Sequence, residues 1–299
     1  MRDIAEMTVV QIEVTNACHL RCANCTRHVG HHKKPYFMNL KYIEKAIDSL
    51  EGFPGRIGMM GGEPAMHPQF LEIIKIYEKK IPRRKRQIWT AGHKWNEFKD
   101  EIERVFDKDL INYNDHTAPG KHQPLLVSID EVLENKDLVH ELIDNCWVQE
   151  QWSASITPRG GFFCEVAASL DHLIDGPGGC PIEKNWWKKP LEDFKNQINS
   201  YCKKCSAALP LPPESDGYGG RTGPTVDIIS EGNYQLLKDK SLKIEKGNYK
   251  IYNKKMTDKE IIKNSFGWAP SKYRGFISHS EEMSREHRLI SKSEKIKAR

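Results

Sequence analysis

Seven of the eight cysteines in this 299-residue chain fall into two groups whose spacing could hold metal. The first is Cys18-His-Leu-Arg-Cys22-Ala-Asn-Cys25, a C-x3-C-x2-C run just past a candidate strand, Val9–Thr15. An iron–sulfur cubane that only transfers electrons takes four thiolates, so three on one short loop leave one iron open to a substrate or cofactor. Buried thiols are the plainer alternative. So is a zinc knuckle whose fourth ligand comes from His19, His28, His31 or His32. The second group is Cys164, Cys180, Cys202 and Cys205, enough to ligate a second cluster completely and also suited to a tetrahedral zinc ion. Cys146 is left over beside Trp147. A single thiol there is most often a small buried hydrophobe.

Periodicity indicates the elements that must position these groups. Asn39 can cap a helix over residues 40–50, apolar at Tyr42, Ile43, Ala46, Ile47 and Leu50 and stopped by Gly52. Residues 56–60 read as a buried strand that delivers Gly61-Gly-Glu-Pro64 to its carboxyl end. The two glycines would let backbone approach a ligand closely, and Glu63 offers an anion to an ammonium group. A helix over 67–80, a strand over Arg86–Thr90, a helix near 96–106, strands at 109–113 and 125–128, and a helix near 131–145 follow. This β-α order predicts a parallel sheet. Residues 114–122 form a polar loop at the carboxyl end of a strand, where α/β barrels build their sites. Asp115, His116, Lys121 and His122 are therefore candidates for substrate contact or proton transfer, against the plainer reading of solvated coil. Two short strands around Pro158-Arg-Gly-Gly161 predict a hairpin that presents Cys164 beyond its turn.

After Cys205 the character changes, with a stiff linker over 209–213 and a glycine-rich loop over 216–223 that lacks the strand-to-helix context of a phosphate-binding motif. Residues 213–299 carry 18 Lys and Arg against 12 Asp and Glu, a surplus of 6 that exceeds the whole chain's net charge of +5. Such a basic stretch can attract acidic partners, though it more often forms a solvated face. About the last 20 residues have the composition of disordered chain. No run of about 18 apolar residues exists, so no membrane span is expected, and the first residues lack the apolar core of a signal peptide. The expected location is cytoplasmic, where thiols stay reduced and cysteines read as ligands before disulfides.

The cysteine loop resembles the signature of the radical S-adenosylmethionine (radical SAM) superfamily, and Met59-Met-Gly-Gly-Glu-Pro64, whose first glycine is 36 residues after Cys25, resembles that family's GGEP motif. The resemblance implies a [4Fe-4S] cluster on Cys18, Cys22 and Cys25. It implies S-adenosylmethionine chelating the open iron, with Gly61, Gly62, Glu63, Pro64, Thr90 and Ser128 around the cofactor. It implies hydrogen-atom abstraction by a 5'-deoxyadenosyl radical, with a flavodoxin or ferredoxin-type electron donor as partner. The family usually has an aromatic residue before the third cysteine, and here it is Asn24. Residues 150–212 resemble the twitch domain, a shortened form of the SPASM domain, implying a second [4Fe-4S] auxiliary cluster on Cys164, Cys180, Cys202 and Cys205. That pattern has four residues between a glycine and its second cysteine, whereas Gly176 precedes Cys180 by three.

The expected architecture is α/β: a partial (β/α)6 TIM-like barrel over 1–149 with six parallel strands, an auxiliary-cluster domain over 150–212 and a Lys-rich extension over 213–299. Only eight residues precede the first strand, which favours a small polar substrate, of sugar, aminocyclitol or nucleoside type, over a peptide. Among radical SAM enzymes the layout resembles an aminocyclitol dehydrogenase with a twitch cluster, so oxidation of a secondary alcohol is expected, with His116 and Cys146 as candidate catalytic groups. Epimerisation through Cys146, peptide maturation, and a non-catalytic iron–sulfur or zinc protein are the alternatives. Nucleic acid is not expected as a partner.

Overall fold

The computed structural model describes residues 1–117 and 120–267, and the expected disorder at the end of the chain lies outside them. In chain order, β1 (Val9–Thr15), α1 (Leu40–Ser49), β2 (Arg56–Gly61), α2 (Phe70–Lys80), β3 (Arg86–Thr90), α3 (Trp95–Val105) and β4 (Ile111–Tyr113) alternate strand and helix. Asn39 caps α1 as its residue type suggests, its Oδ1 accepting the Tyr42 N–H at 2.8 Å. Gly52, with φ +80°, turns the chain away after the helix. Ile43, Ala46 and Ile47 then face the sheet. Every residue of β1 is buried. Val10, Ile12 and Val14 alternate along it with Gln11, Glu13 and Thr15, so one side of the strand meets apolar helices and the other a polar interior.

Beyond β4 come β5 (Lys121–His122), α4 (Ile129–Val132), α5 (Lys136–Asp144), α6 (Trp147–Gln151) and the hairpin β6 (Ala154–Thr157) and β7 (Gly160–Phe162). The main sheet has the order β4-β3-β2-β1-β6-β7. All its pairs are parallel except β6 with β7, so the sheet is α/β and mostly parallel, with an antiparallel edge in place of a sixth parallel strand. The segment expected as an auxiliary domain therefore enters the main sheet, since β6 pairs with β1.

The strand expected at 125–128 does not form. Its backbone is held by other chain segments: Ser230 N–H donates to Leu126 O at 3.0 Å, and only a bridge to Ile229 remains. The helix expected over 131–145 is two helices, because Asn135 leaves helical geometry to cap α5. After α7 (Glu165–Ile174), α8 (Lys195–Tyr201) and β8 (Glu214–Ser215), the Lys-rich extension is folded as β9 (Asp227–Ser230), α9 (Glu231–Leu237), α10 (Leu242–Glu245), β10 (Tyr249–Tyr252) and α11 (Asp258–Gly267). Strands β9 and β10 pair in parallel. Among the described residues no helix is long and apolar enough to cross a membrane.

Candidate functional site

Cys18, Cys22 and Cys25 open onto one cavity of about 270 Å3 that extends from Thr8, Val9 and Arg56, at the amino ends of β1 and β2, to Gly61, Thr90 and Ala91 at the carboxyl ends of β2 and β3. Burial pushes the Cys18 thiol up to about 12, and burial followed by the neighbouring Cys25 and Cys18 thiols raises Cys22 as well. A thiol is a ligand only as thiolate, so a bound cation must offset this burial. Three soft donors on one loop beside an open cavity fit an iron–sulfur cluster with one iron left for a non-protein ligand.

Gly61, Gly62 and Thr90 also line the cavity. The two glycines are required first by packing: a Cβ on Gly61 would stand 2.0 Å from Thr15 O, and one on Gly62 2.3 Å from Ala17 O. Gly62 N–H donates to Thr15 O at 2.8 Å and Glu63 N–H to Ala17 O at 2.7 Å, so this motif ties the end of β2 to the start of the cysteine loop. Glu63, expected to offer its anion to an ammonium group, is held here by donors of the protein itself. It is fully buried, and its carboxylate accepts from Thr90 Oγ1 at 2.8 Å, Ala91 N–H at 2.6 Å and Ala65 N–H at 3.1 Å. Burial raises this carboxyl above its ordinary value, with those three bonds opposing. Pro64 opens a short 3-10 turn after it. Ser128 is away from the cavity; its hydroxyl donates to Lys203 O at 2.8 Å and it precedes α4.

The polar loop divides the same way. His116 lines the cavity, with Nδ1 3.0 Å from Asp216 Oδ2 and 3.9 Å from Cys22 Sγ. Lys121 lines it too, and His122 Nδ1 donates to Ala23 O at 2.8 Å, fastening β5 to the cysteine loop. Asp115 is exposed and caps its own turn through Thr117 N–H. Groups not anticipated complete the interior. Arg27 donates to Glu165 at 2.7 Å and to Gln11, Ser155 Oγ donates to Glu13 at 2.6 Å, and Gln87 carries a buried Oε1 with no partner among the described residues. Trp89, Trp147 and Trp152 supply flat apolar walls. The polar alternation Gln11, Glu13 within a buried strand was the sequence signal for this interior.

Residues 12–149 match the Radical SAM superfamily. This stretch is a radical SAM domain. Among solved structures, the chain is 17% identical to BtrN in complex with AdoMet and 2-DOIA, covering 67% of this chain and 92% of that one at a TM-score of 0.44. Selenomethionine BtrN in an open conformation matches at 17% identity, 66% and 86% coverage and a TM-score of 0.41. Polyhistidine-tagged anSMEcpe with bound AdoMet matches at 12% identity, 88% and 60% coverage and a TM-score of 0.23. No curated protein matches the chain.

At the end of the radical SAM domain and beyond it, Cys146 rather than Cys180 shares a cavity with Cys164, Cys202 and Cys205. Cys146, Cys164, Cys202 and Cys205 line a small, almost wholly apolar cavity with Met1 and Phe163. Burial, and after it the neighbouring Cys146 thiol, raises the Cys164 and Cys202 thiols well above the ordinary value and Cys205 to about 12. Cys180 stands apart: it bridges Gly161 at the edge of β7, and its charged neighbour is Lys189 rather than another cysteine. The hairpin causes this, because its turn carries Cys164 inward while Cys180 pairs along the outer edge. Cys146, in turn, lines this small cavity and not the large one. Among the described residues no three His, Cys, Asp or Glu side chains form a ready single-ion site.

The radical SAM domain's cysteine loop is held from outside the domain. Arg21 N–H donates to Gly219 O at 2.8 Å, Ala23 N–H to Asp216 O at 3.1 Å, and Thr225 Oγ1 to Arg21 O. Asn24, in left-handed conformation with φ +50°, donates its N–H to Asp227 Oδ1 at 2.8 Å and accepts from Ile228 N–H at 3.1 Å. Lys243 Nζ donates to Cys22 O at 3.0 Å and to Asp227, whose other oxygen lies 2.7 Å from His31 Nε2. No spacing in the sequence signals this clamp, because its partners are some 200 residues apart.

Proposed function

We propose that the chain is a radical SAM oxidoreductase that takes a small polar substrate, of sugar, aminocyclitol or nucleoside type, into the large cavity and oxidises a secondary alcohol. S-adenosylmethionine with a reduced [4Fe-4S] cluster on Cys18, Cys22 and Cys25 supplies, when bound, a 5'-deoxyadenosyl radical that removes one hydrogen atom from a C–H bond. Cys146, Cys164, Cys202 and Cys205 would hold a second cluster that supplies an acceptor for the remaining electron. Loss of the hydroxyl proton then completes a two-electron oxidation. His116, aligned by Asp216, is a group at the cavity placed to take that proton. Gln87 Oε1 can accept from a substrate hydroxyl, and the tryptophans exclude water and cover the apolar faces of a ring.

The observation that carries this reading is adjacency. Cys146 and Cys164 line the small cavity while their chain neighbours Trp147 and Glu165 line the large one, so a single residue separates the second thiol set from the substrate space. An electron acceptor in that position favours oxidation over epimerisation, and the displacement of Cys146 from the large cavity weighs the same way.

The test is anaerobic reduction with dithionite in the presence of S-adenosylmethionine. Formation of 5'-deoxyadenosine is expected, and with a panel of polyols and aminocyclitols a carbonyl product two mass units lighter than the substrate. Absence of 5'-deoxyadenosine would overturn the radical reading. Solvent deuterium at the reacting carbon would overturn oxidation in favour of epimerisation.

A further inference from the structure

The cysteine loop is one chain thick and has two sides. Cys18, Leu20 and Cys22 face the large cavity, while the intervening His19 and Arg21 face a separate surface groove of about 410 Å3. The groove is walled by the glycine-rich loop at Gly219 and Gly220 and by α10, and among the described residues no Asp or Glu lines it. Arg21, Arg221 and Lys246 are exposed there, and none of them forms an ion pair among the described residues. Glu245, the carboxylate before Lys246, is paired with Lys33 at 2.8 Å, and Lys243 is neutralised by Asp227. The uncompensated field at this face is positive.

We propose that this groove docks an acidic one-electron carrier protein of the flavodoxin class. The proposal rests on the reading of Cys18, Cys22 and Cys25 as cluster ligands. On that reading the electron must enter from solvent, and only the chain thickness of residues 18–22 separates the groove from the thiols. Glycines at the wall leave no side chain to hold a partner off. Redox encounters are small and transient, so they depend on long-range charge attraction for their rate rather than on a large apolar interface. In the docked complex the carrier loses one electron and the cysteine-held centre gains it, with no bond made or broken.

Two measurements on the intact holoenzyme test this. Binding of oxidised flavodoxin by titration calorimetry should weaken with rising salt, and in the Arg221→Glu/Lys246→Glu double variant its dissociation constant should rise on the order of tenfold or more. The corresponding alanine pair should move it less and in the same direction. Flavodoxin-driven formation of 5'-deoxyadenosine should need proportionally more carrier in both variants, while the dithionite-driven rate stays at the wild-type value. Wild-type flavodoxin affinity in the charge-reversed variant, or a dithionite-driven rate that falls with the flavodoxin-driven one, would overturn docking at this groove. No 5'-deoxyadenosine with dithionite in the wild type would instead sink the cluster assignment, while calorimetry would still decide the docking site.

Discussion

Cys18, Cys22 and Cys25 lie within eight consecutive residues, whereas Cys146, Cys164, Cys202 and Cys205 come from a helix cap, a hairpin end and a turn spread over 60. Sequence proximity would suggest that the first set needs less support. The structure has the reverse. The contiguous loop bonds its backbone to Asp216, Gly219, Asp227 and Lys243, far along the chain, and opens onto a polar cavity. The dispersed set closes on an apolar pocket continuous with the main core, where Cys146, Cys202 and Cys205 pack against buried side chains. The two sets are alike in burial, with Cys22 and Cys164 buried and the others half-buried, and they differ in what holds them: directional backbone bonds at the loop, apolar packing at the dispersed set.

The sharpest way to break this comparison is Cys22→Ala. Formation of 5'-deoxyadenosine should be abolished, while electron paramagnetic resonance still reports a cluster on Cys146, Cys164, Cys202 and Cys205. A variant that goes on cleaving the cofactor would remove the distinction between the two sets.

Next in size is the choice between Cys146 and Cys180. Reconstituted wild type should hold about eight irons if both centres are cubanes, Cys146→Ala about four, and Cys180→Ala the full number. The opposite pattern in iron analysis would return Cys180 to the ligand set.

Asp227→Asn sharpens the contrast in support. It leaves Lys243 as a buried cation facing a neutral amide, which should lower unfolding stability by about 3 kcal/mol and release iron from the loop site before the second one. Burial by itself would raise the Asp227 carboxyl, but its bonds to His31 and Lys243 hold it well below the usual value. Its stabilisation is therefore present above about pH 4, the unfolded value, and fades as pH falls toward the folded one. Thermal unfolding across that acid range should show the loss in wild type and a flatter curve in the variant. Equal retention of iron at both sites would argue against the clamp.

The smallest effect is expected from Thr90→Val, which removes one of three donors to a buried carboxylate and should cost about 1 kcal/mol. It should leave iron content at the wild-type level. A loss of iron would mean that the Glu63 network supports the loop more directly than its bonds to Thr90, Ala91 and Ala65 indicate.

What the chain's own order determined is local. The C-x3-C-x2-C spacing puts three thiols on one loop whatever the fold, the Asn39 cap and the apolar periodicity after it are enough for α1, and Pro158-Arg-Gly-Gly161 makes the hairpin, because turns, caps and helix faces depend on residues a few positions apart. Only the tertiary structure decided which cysteine shares the small cavity with Cys164, Cys202 and Cys205: Cys146 does and Cys180 does not line it. Cys146 and Cys180 are each 18 or fewer residues from Cys164, and spacing treats them alike. The direction in which β6 and β7 cross the edge of the sheet separates them. The same holds for Glu63, whose motif suggests a ligand for a cofactor but whose carboxylate is taken by Thr90 and Ala91 from the neighbouring strand. It holds most of all for Asp227, which lies in a lysine-rich stretch with no motif and becomes the anchor of the cysteine loop. Hydrogen bonds between segments 200 residues apart depend on where the chain returns, and that is set by how the whole core packs.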